Sequence, residues 1–481
     1  MLFDKRKITV IPGDGIGPEV VAAALKVIDA TGIRLEPEIC LAGAEAFKKD
    51  IESGVPKETI ESIERTKVVL KGPLETPIGH GNKSANVTLR TLFETFGNLR
   101  PVRELPGVHT PFTGRKLDIV IVRENVEDLY TGIEYMQTPG VAQALKIISR
   151  TGCEKIVELA FEFAVAAGRK RVHCATKANI MKLTEGMLQH TFEEIAPRYP
   201  QIEAKHILID NCAHQLAMRP EQFDVIVTTN MNGDILSDLT SGLTGGLGFA
   251  PSANIGNDAA IFEAVHGSAP DIAGKNVANP TAIILSAAMM LRHIGEGQAA
   301  HDIEQAVLVT LESGVRSGDM AGKNKPASTT EFADAIIANL GKSSGTAAAA
   351  DFRAVNIPEH SHDVQTVETK QRKVTGVDVF IESSMQPEEL GADLTEICIN
   401  TTLSLQMIGN RGNTVFPVTD NRRVTLVDQY RCRFMKKNRI EPLTNPEILS
   451  LLTKIGEAHT WMHIEKLQQF DNEDAFSRTQ R

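Results

Sequence analysis

The sequence predicts an α/β main body followed by a small α+β unit. Short apolar runs alternate with helical patterns up to about Leu340, which is the signature of strands and helices in alternation. The composition then changes, with Gly341 to Ala350 reading GKSSGTAAAA, as a linker does. Beyond it, patterns restart in the order βαββαβ, that of a ferredoxin-like unit.

In chain order, Ile8 to Ile11 is a strand, Gly13-Asp14-Gly15-Ile16-Gly17 a tight turn, and Pro18 opens a helix carrying Val20, Val21, Ala24, Leu25 and Ile28 toward Gly32. The turn reads GxGxG rather than GxGxxG, and no acidic residue closes a second strand at the expected distance. It is therefore expected to be structural, not a dinucleotide fingerprint. Further strands are expected over Lys67 to Lys71, Asp118 to Val122, Arg171 to Thr176, His206 to Asp210 and Asp224 to Thr229. The helix Glu154 to Ala167 places Ile156, Leu159, Ala160, Phe163 and Ala167 on one stripe, whereas Thr281 to His293 is apolar nearly all round and must be buried on several sides. After a linker over 342–373 come a strand (Val374 to Glu382), a helix (Pro387 to Cys398), two strands (Leu403 to Ile408 and Arg423 to Phe434), a helix (Asn445 to His459) and a last strand (Trp461 to Leu467).

Composition narrows the function. A chain of 481 residues with 42% hydrophobic and 23% charged content is an ordinary soluble protein of about three domains. A net charge of −10 argues against nucleic acid as partner but leaves room for a local basic pocket that takes a small anion. Six scattered cysteines with no CxxC spacing suit reduced core positions in a cytoplasmic protein. The amino terminus enters a strand almost at once, leaving no room for a targeting peptide. The longest apolar segment, Ile283 to Leu291, is too short for a membrane span.

The chemistry is expected around TTNMNGDILSDLTSGLTGG, Thr228 to Gly246, where a strand gives way to a helix. Asp234 and Asp238, four apart on a helix, share one face and can converge on a hard divalent cation. Acidic residues are also common in first helical turns, so the pair alone does not decide. Ser84, Asn86 and Arg90 near a helix start, with Arg100 and Arg123, supply hydrogen-bonding groups and bidentate carboxylate clamps, although capping explains several of them singly. Arg123, Glu124 and Asn125 follow a strand directly, where open α/β sheets bind ligands. Lys177 follows another strand, and a lysine beside a metal and near Tyr130 is a candidate for proton exchange as much as a solvated surface residue. The loop from Glu263 through His266 and Asp271 to Asn279-Pro280 is rich in small residues that let backbone approach a ligand.

Together these segments resemble the β-decarboxylating dehydrogenases, the family of isocitrate, homoisocitrate, 3-isopropylmalate and tartrate dehydrogenases. The resemblance covers residues 7 to 341 and includes the motif from Asn232-Gly233-Asp234 through Gly248. KSANVTLR, with Ser84 and Asn86 before Arg90, is similar to the isocitrate-specific members, and the extension ending Trp461-Met462-His463-Ile464-Glu465-Lys466-Leu467 is similar to that of the longer bacterial ones. The resemblance implies an isopropylmalate-dehydrogenase-like fold in which a large domain (1–95 and 245–341) and a small domain (96–244, with a dimer clasp near 128–150) share a mixed sheet, beside a carboxyl-terminal domain at 374–481. It implies that Ser84, Asn86, Arg90, Arg100 and Arg123 bind isocitrate and that Tyr130 and Lys177 are the acid-base groups. Asp234 and Asp238, joined by Asp210, would hold magnesium or manganese, with Lys177 and Asp210 supplied by the neighbouring subunit of a homodimer or larger assembly. Glu75 and Thr76 would lie by the nicotinamide, and His266, Asp271, Ile272 and Asn279 by the adenosine part of the cofactor. The implied reaction is metal-dependent oxidative decarboxylation of isocitrate to 2-oxoglutarate, as in the tricarboxylic acid cycle.

Members that use NADP carry a lysine and a tyrosine where this chain has Asp271 and Ile272. A carboxylate accepts hydrogen bonds from free ribose hydroxyls and repels a 2′-phosphate, so NAD is the expected cofactor and NADP the alternative. The rivals are homoisocitrate dehydrogenase, which Ser84 and Asn86 disfavour, and a non-catalytic regulatory subunit, which the intact acid-base and metal positions disfavour.

Overall fold

A computed structural model describes residues 6–75, 84–321, 325–345, 355–418 and 424–477. Thr76 lies outside the described residues. The chain divides into two compact units, Met1–Thr131 with Lys146–His362, and Gly132–Leu145 with Asp363–Arg481. The division differs from the sequence reading in two places. Residues 132–145, assigned by sequence to the small domain, group with the carboxyl-terminal unit, and the first part of the expected linker, with Val355 and Ile357 packed on the main core, groups with the first unit.

The first unit is built on a ten-stranded sheet in the order Leu35–Ile39, Arg6–Ile11, Val68–Lys71, Ala260–Ala264, Pro251–Ile255, Gly97–Arg103, Asp118–Glu124, Val225–Thr228, Arg171–Thr176, Glu203–Leu208. Pairing is parallel toward both edges. It is antiparallel at the centre, where Pro251–Ile255 pairs with Ala260–Ala264 and Gly97–Arg103, and the latter with Asp118–Glu124. The sheet is therefore mixed. Its three central strands Gly97–Arg103, Pro251–Ile255 and Ala260–Ala264 were not foreseen, because Asn98, Pro101, Pro251, Asn254 and Glu263 interrupt the apolar runs by which buried strands are recognised.

Helix starts follow local chemistry. Ser149 accepts a hydrogen bond from the Gly152 amide at 2.9 Å, so the helix Arg150–Ala166 begins a turn earlier than expected. Thr281–His293 is buried on nearly every side, as its apolar composition requires. The glycine turn acts as a fastener. Gly13 and Gly15 have positive φ (78° and 58°), and Asp14 accepts hydrogen bonds from the amides of Ala44 (3.0 Å) and Glu75 (2.8 Å). A Cβ on Gly15 would stand 2.0 Å from the Ser268 carbonyl, which accepts the Ile16 amide at 2.8 Å.

The second unit carries a six-stranded antiparallel sheet in the order Asn413–Phe416, Leu403–Asn410, Gln429–Lys436, Arg372–Glu382, Thr460–Phe470, Glu473–Asp474. Its four longest strands and the helices Pro387–Ile397 and Asn445–Gly456 form the expected ferredoxin-like βαββαβ unit around one core. Arg423, where a strand was expected to start, lies outside the described residues; from residue 424 on, the strand begins at Gln429. The Asn410 side chain takes both the amide (3.1 Å) and the carbonyl (2.8 Å) of Val427, which a strand neighbour would otherwise use. The hairpin Glu134–Thr138 and Val141–Ala144 is tied to this unit by Thr138 on Asp428 (2.8 Å) and His463 on Gln137 (3.0 Å).

Candidate active site

The helix Asn230–Thr244 follows the strand Val225–Thr228 and carries Asp234 and Asp238 one turn apart. Gly233 lets the helix approach the neighbouring strand end, since a Cβ there would stand 2.6 Å from Arg123 Cγ. Arg123 is only 1% exposed. Its Nε and Nη2 donate to Asn230 Oδ1 at 3.0 and 2.7 Å, and its Nη1 pairs with Asp234 Oδ1. Arg100, one strand over, reaches the same oxygen at 3.3 Å, donates to Ser237 Oγ at 2.5 Å and lies 3.9 Å from Asp238 Oδ1. Tyr130 donates to Asp234 Oδ2 at 2.6 Å, and the Arg123 guanidinium lies 4.9 Å from its ring centroid.

Electrostatics follow from this crowding. Burial pushes the Asp234 carboxyl up, but Arg123, Tyr130, Arg100 and Arg90 outweigh it and hold the carboxyl below the usual range, so it is an anion at neutral pH. Burial, with Arg100 and Arg90 nearby, pulls the Arg123 guanidinium below its ordinary value, while the Asp234 carboxylate opposes the shift. Burial and the Asp234 carboxylate raise the Tyr130 phenol, keeping its proton in place.

Arg90, on the helix Ala85–Leu92, leans on Glu263 at 3.2 Å. Its Nε and Asn86 Oδ1 are buried and have no hydrogen-bond partner among the described residues, and Ser84 at the helix start makes no capping bond. Such groups fit a polar ligand. Behind them lies a buried network without any sequence signal. Glu263 pairs with Lys71 at 2.6 Å and accepts from Asn254 Nδ2 at 2.7 Å. Asn254 Oδ1 accepts from Asn98 (2.8 Å) and Asn125 (3.0 Å), and Asn98 accepts from Arg100 Nε at 2.5 Å. Burial alone would raise the Glu263 carboxyl, yet Lys71 and Arg90 hold it well below the usual range. The network reaches both Arg90 and Arg100. The flanking residues Leu99 and Pro101 instead face a cavity of about 370 Å³ on the other side of the sheet, as strand alternation demands.

Lys177 and Asp210 form a separate pair at 2.9 Å, and hydrogen bonding to Lys177 holds the Asp210 carboxyl below its ordinary range. Asp210 does not end a strand as expected. The strand stops at Leu208, and Asp210 sits in the first turn of the helix Ile209–Met218, where the dipole favours a carboxylate. Among the described residues no hydrogen bond or ion pair joins Lys177 or Asp210 to Asp234, Asp238 or Tyr130, and no group of three or more His, Cys, Asp or Glu is placed to hold a metal ion.

The expected cofactor residues lie along one stretch. Glu75 hangs from Asp14 by its amide. His266 Nδ1 lies 3.0 Å from the Gly267 carbonyl, while its buried Nε2 has no partner among the described residues. Asp271 and Ile272 are exposed in the single turn Pro270–Ile272, and Lys275 donates to the Asp271 carbonyl at 2.7 Å. Asn279 is used by the fold, taking the amide (3.0 Å) and hydroxyl (2.6 Å) of Thr281 and donating to Asp319 at 3.0 Å.

The mixed sheet and its arginine-lined carboxylate helix belong to a chain of the isocitrate/isopropylmalate dehydrogenase family, which it matches over residues 7–336. Residues 372–481 match the bacterial isocitrate dehydrogenase, C-terminal domain. An isocitrate dehydrogenase [NADP] of Thermus thermophilus is 59% identical over 100% of this chain and 97% of its own length. An isocitrate dehydrogenase [NADP] of Rickettsia bellii is 41% identical over 98% of each chain. The crystal structure of the TT0538 protein from Thermus thermophilus superposes with a TM-score of 0.96 at 58% identity, covering 100% of this chain and 97% of that one. The similarity is thus to the longer bacterial isocitrate dehydrogenases.

These relatives overturn the expectation of NAD and of an NAD-preferring enzyme, since both of them, matched over nearly their full length, are named for NADP. The expectation rested on Asp271 and Ile272, and the geometry explains its weakness. An exposed carboxylate is screened by water and salt, and Lys275 supplies a cation at the same turn.

Proposed function

We propose that this protein oxidatively decarboxylates isocitrate to 2-oxoglutarate and CO₂, with NADP accepting the hydride and a divalent metal required. The supporting observation is the convergence of Arg100, Arg123 and Tyr130 on Asp234, with Arg90 and the unpartnered Asn86 Oδ1 on the helix Ala85–Leu92. Arginine forks suit a substrate with three carboxylates. Ser84, Asn86, Arg90, Arg100 and Arg123 bind and orient it.

Asp234 is ionised and Asp238 is exposed beside it, and hard carboxylate oxygens suit magnesium or manganese. These two, completed by Asp210 of a second copy, would hold the ion, whose chemistry is to acidify a coordinated hydroxyl and stabilise negative charge on oxygen. The second copy is part of the proposal because one chain keeps Lys177 and Asp210 as a separate pair. Lys177, with Asp210, removes the C2 hydroxyl proton, and Tyr130 returns a proton to C3 after CO₂ departs. We assign Glu75, and Thr76 outside the described residues, to the nicotinamide, and His266, Asp271, Ile272 and Asn279 to the adenosine side, where the unpartnered His266 Nε2 suits a polar ligand.

Initial rates with isocitrate, NADP or NAD, and magnesium or manganese test the whole reading. Metal-dependent NADPH formation with NADP preferred is the expected outcome. No turnover of isocitrate by purified full-length protein would refute it.

A further inference from the structure

We propose that Lys146 is a positioning residue that holds both proton-transfer groups, Tyr130 and Lys177, through one buried ionic bridge. The inference rests on the roles given to those two residues above.

Lys146 is 12% exposed by its side chain, and its Nζ pairs with two carboxylates whose side chains are wholly buried, Asp128 and, at 2.9 Å, Glu185. Each carboxylate fixes a different piece of the site. Asp128 has a left-handed backbone (φ 69°) and immediately precedes the turn Leu129–Thr131 that carries Tyr130. Its Oδ1 accepts the Leu129 amide at 2.8 Å, and its Oδ2 accepts the Met231 amide at 3.0 Å, at the start of the helix that carries Asp234 and Asp238. Glu185 Oε2 accepts the Lys177 amide at 2.9 Å and Oε1 the Thr229 hydroxyl at 3.1 Å, with Asn232 Nδ2 at 3.3 Å from Oε2.

One ammonium therefore ties the Tyr130 turn, the start of the aspartate helix and the Lys177 backbone into one body. Lys146 contacts neither Asp234 nor Asp238 among the described residues, so its influence on the reaction runs through the groups it holds. Without it, two buried carboxylates lack a shared cation, and the loops bearing Tyr130 and Lys177 lose their common anchor. Because Lys177 pairs with Asp210 while Tyr130 is bonded to Asp234, the bridge joins two half-sites of one chain.

The test uses full-length protein carrying Glu185→Gln, Lys146→Met or Lys146→Arg, assayed with isocitrate, NADP and magnesium across pH, alongside thermal melting. Glu185→Gln keeps size and an acceptor for the Lys177 amide. It should lower kcat by ~10-fold while isocitrate KM stays within ~3-fold of wild type. Lys146→Met should lower kcat by ~100-fold and displace the pH profile of kcat, and Lys146→Arg, which keeps the cation, should recover part of that loss. A bridge that only stabilises the fold would lower melting without splitting kcat from KM or moving the profile. Folded variants with kcat within ~2-fold of wild type overturn the proposal. Should Lys146→Met not fold, Glu185→Gln decides alone. An inactive wild type would overturn the assigned reaction and this inference together, whereas an active wild type with unaffected variants overturns only the inference.

Discussion

Tyr130 donates its hydroxyl to Oδ2 of Asp234 at 2.6 Å while Arg123 holds Oδ1 of the same carboxylate. The aspartate that would face the metal thus also orients the proposed proton donor. Asp234→Asn keeps the shape and one oxygen acceptor but loses the charge. It should abolish metal-dependent turnover and weaken metal binding by more than the ~10–100-fold typical of losing a supporting partner. Magnesium or manganese titration of the rate, with circular dichroism to show that the fold is kept, is the measurement. Normal metal affinity and rate would return Asp234 to the status of an ordinary helical residue.

Asn254 links the supports of two arginines, touching Glu263 beside Arg90 and Asn98 beside Arg100. Asn254→Leu keeps the branched four-atom skeleton of the side chain, though it is bulkier, and leaves several buried groups unpaired, at ~1–3 kcal/mol each. Isocitrate KM should rise by ~10-fold or more with a smaller change in kcat, because the arginines act in binding. Steady-state kinetics showing an unchanged KM in a folded variant would remove Asn254 from the substrate network.

Gly233 lies where a Cβ would come within 2.6 Å of Arg123 Cγ. Gly233→Ala should destabilise the protein by ~1–3 kcal/mol through overpacking, despite the better helix propensity of alanine. Chemical denaturation reads the stability, and a parallel rise in isocitrate KM should accompany it as Arg123 is displaced. A stabilised variant with normal KM would show that the approach of helix and strand is not fixed by this glycine.

Glu124 is 5% exposed, and burial raises its carboxyl to about 7 despite hydrogen bonds from the amides of Val126 and Glu127. Its folded value lies above the ordinary 4.5, so between the two the folded state binds more protons. Stability should therefore fall as pH rises from about 4.5 to about 7 and level off above. Glu124→Gln removes this slope and should gain ~2–3 kcal/mol at pH ~8 relative to pH ~5. Urea denaturation of both proteins at the two pH values is decisive, and an identical pH dependence would exclude the effect.

Much of the site was legible where spacing along one element carries the information. The four-residue interval between Asp234 and Asp238 required only helix geometry, whereas Arg123, expected just after a strand ending at Val122, lies within the strand Asp118–Glu124, one residue before its end. Asp210 was legible as a residue but misplaced as structure, because HILID reads as an apolar run while its last two residues begin a helix. Cofactor choice was misread because it was argued from Asp271 and Ile272, which stand exposed with Lys275 beside them.

The sequence by itself determined the alternation of strands and helices, the fastening glycine turn, the break before the ferredoxin-like unit and the two aspartates on one helical face. All of these follow from periodicity and from backbone freedom within a few residues. Tertiary structure alone decided that Asn98 and Asn254, 156 residues apart, satisfy one another at the centre of the sheet, and that Lys146 reaches both Asp128 and Glu185. The reason is desolvation: a buried polar or charged group persists only where partners from distant segments replace the water it has lost, and no local pattern records which segments those will be.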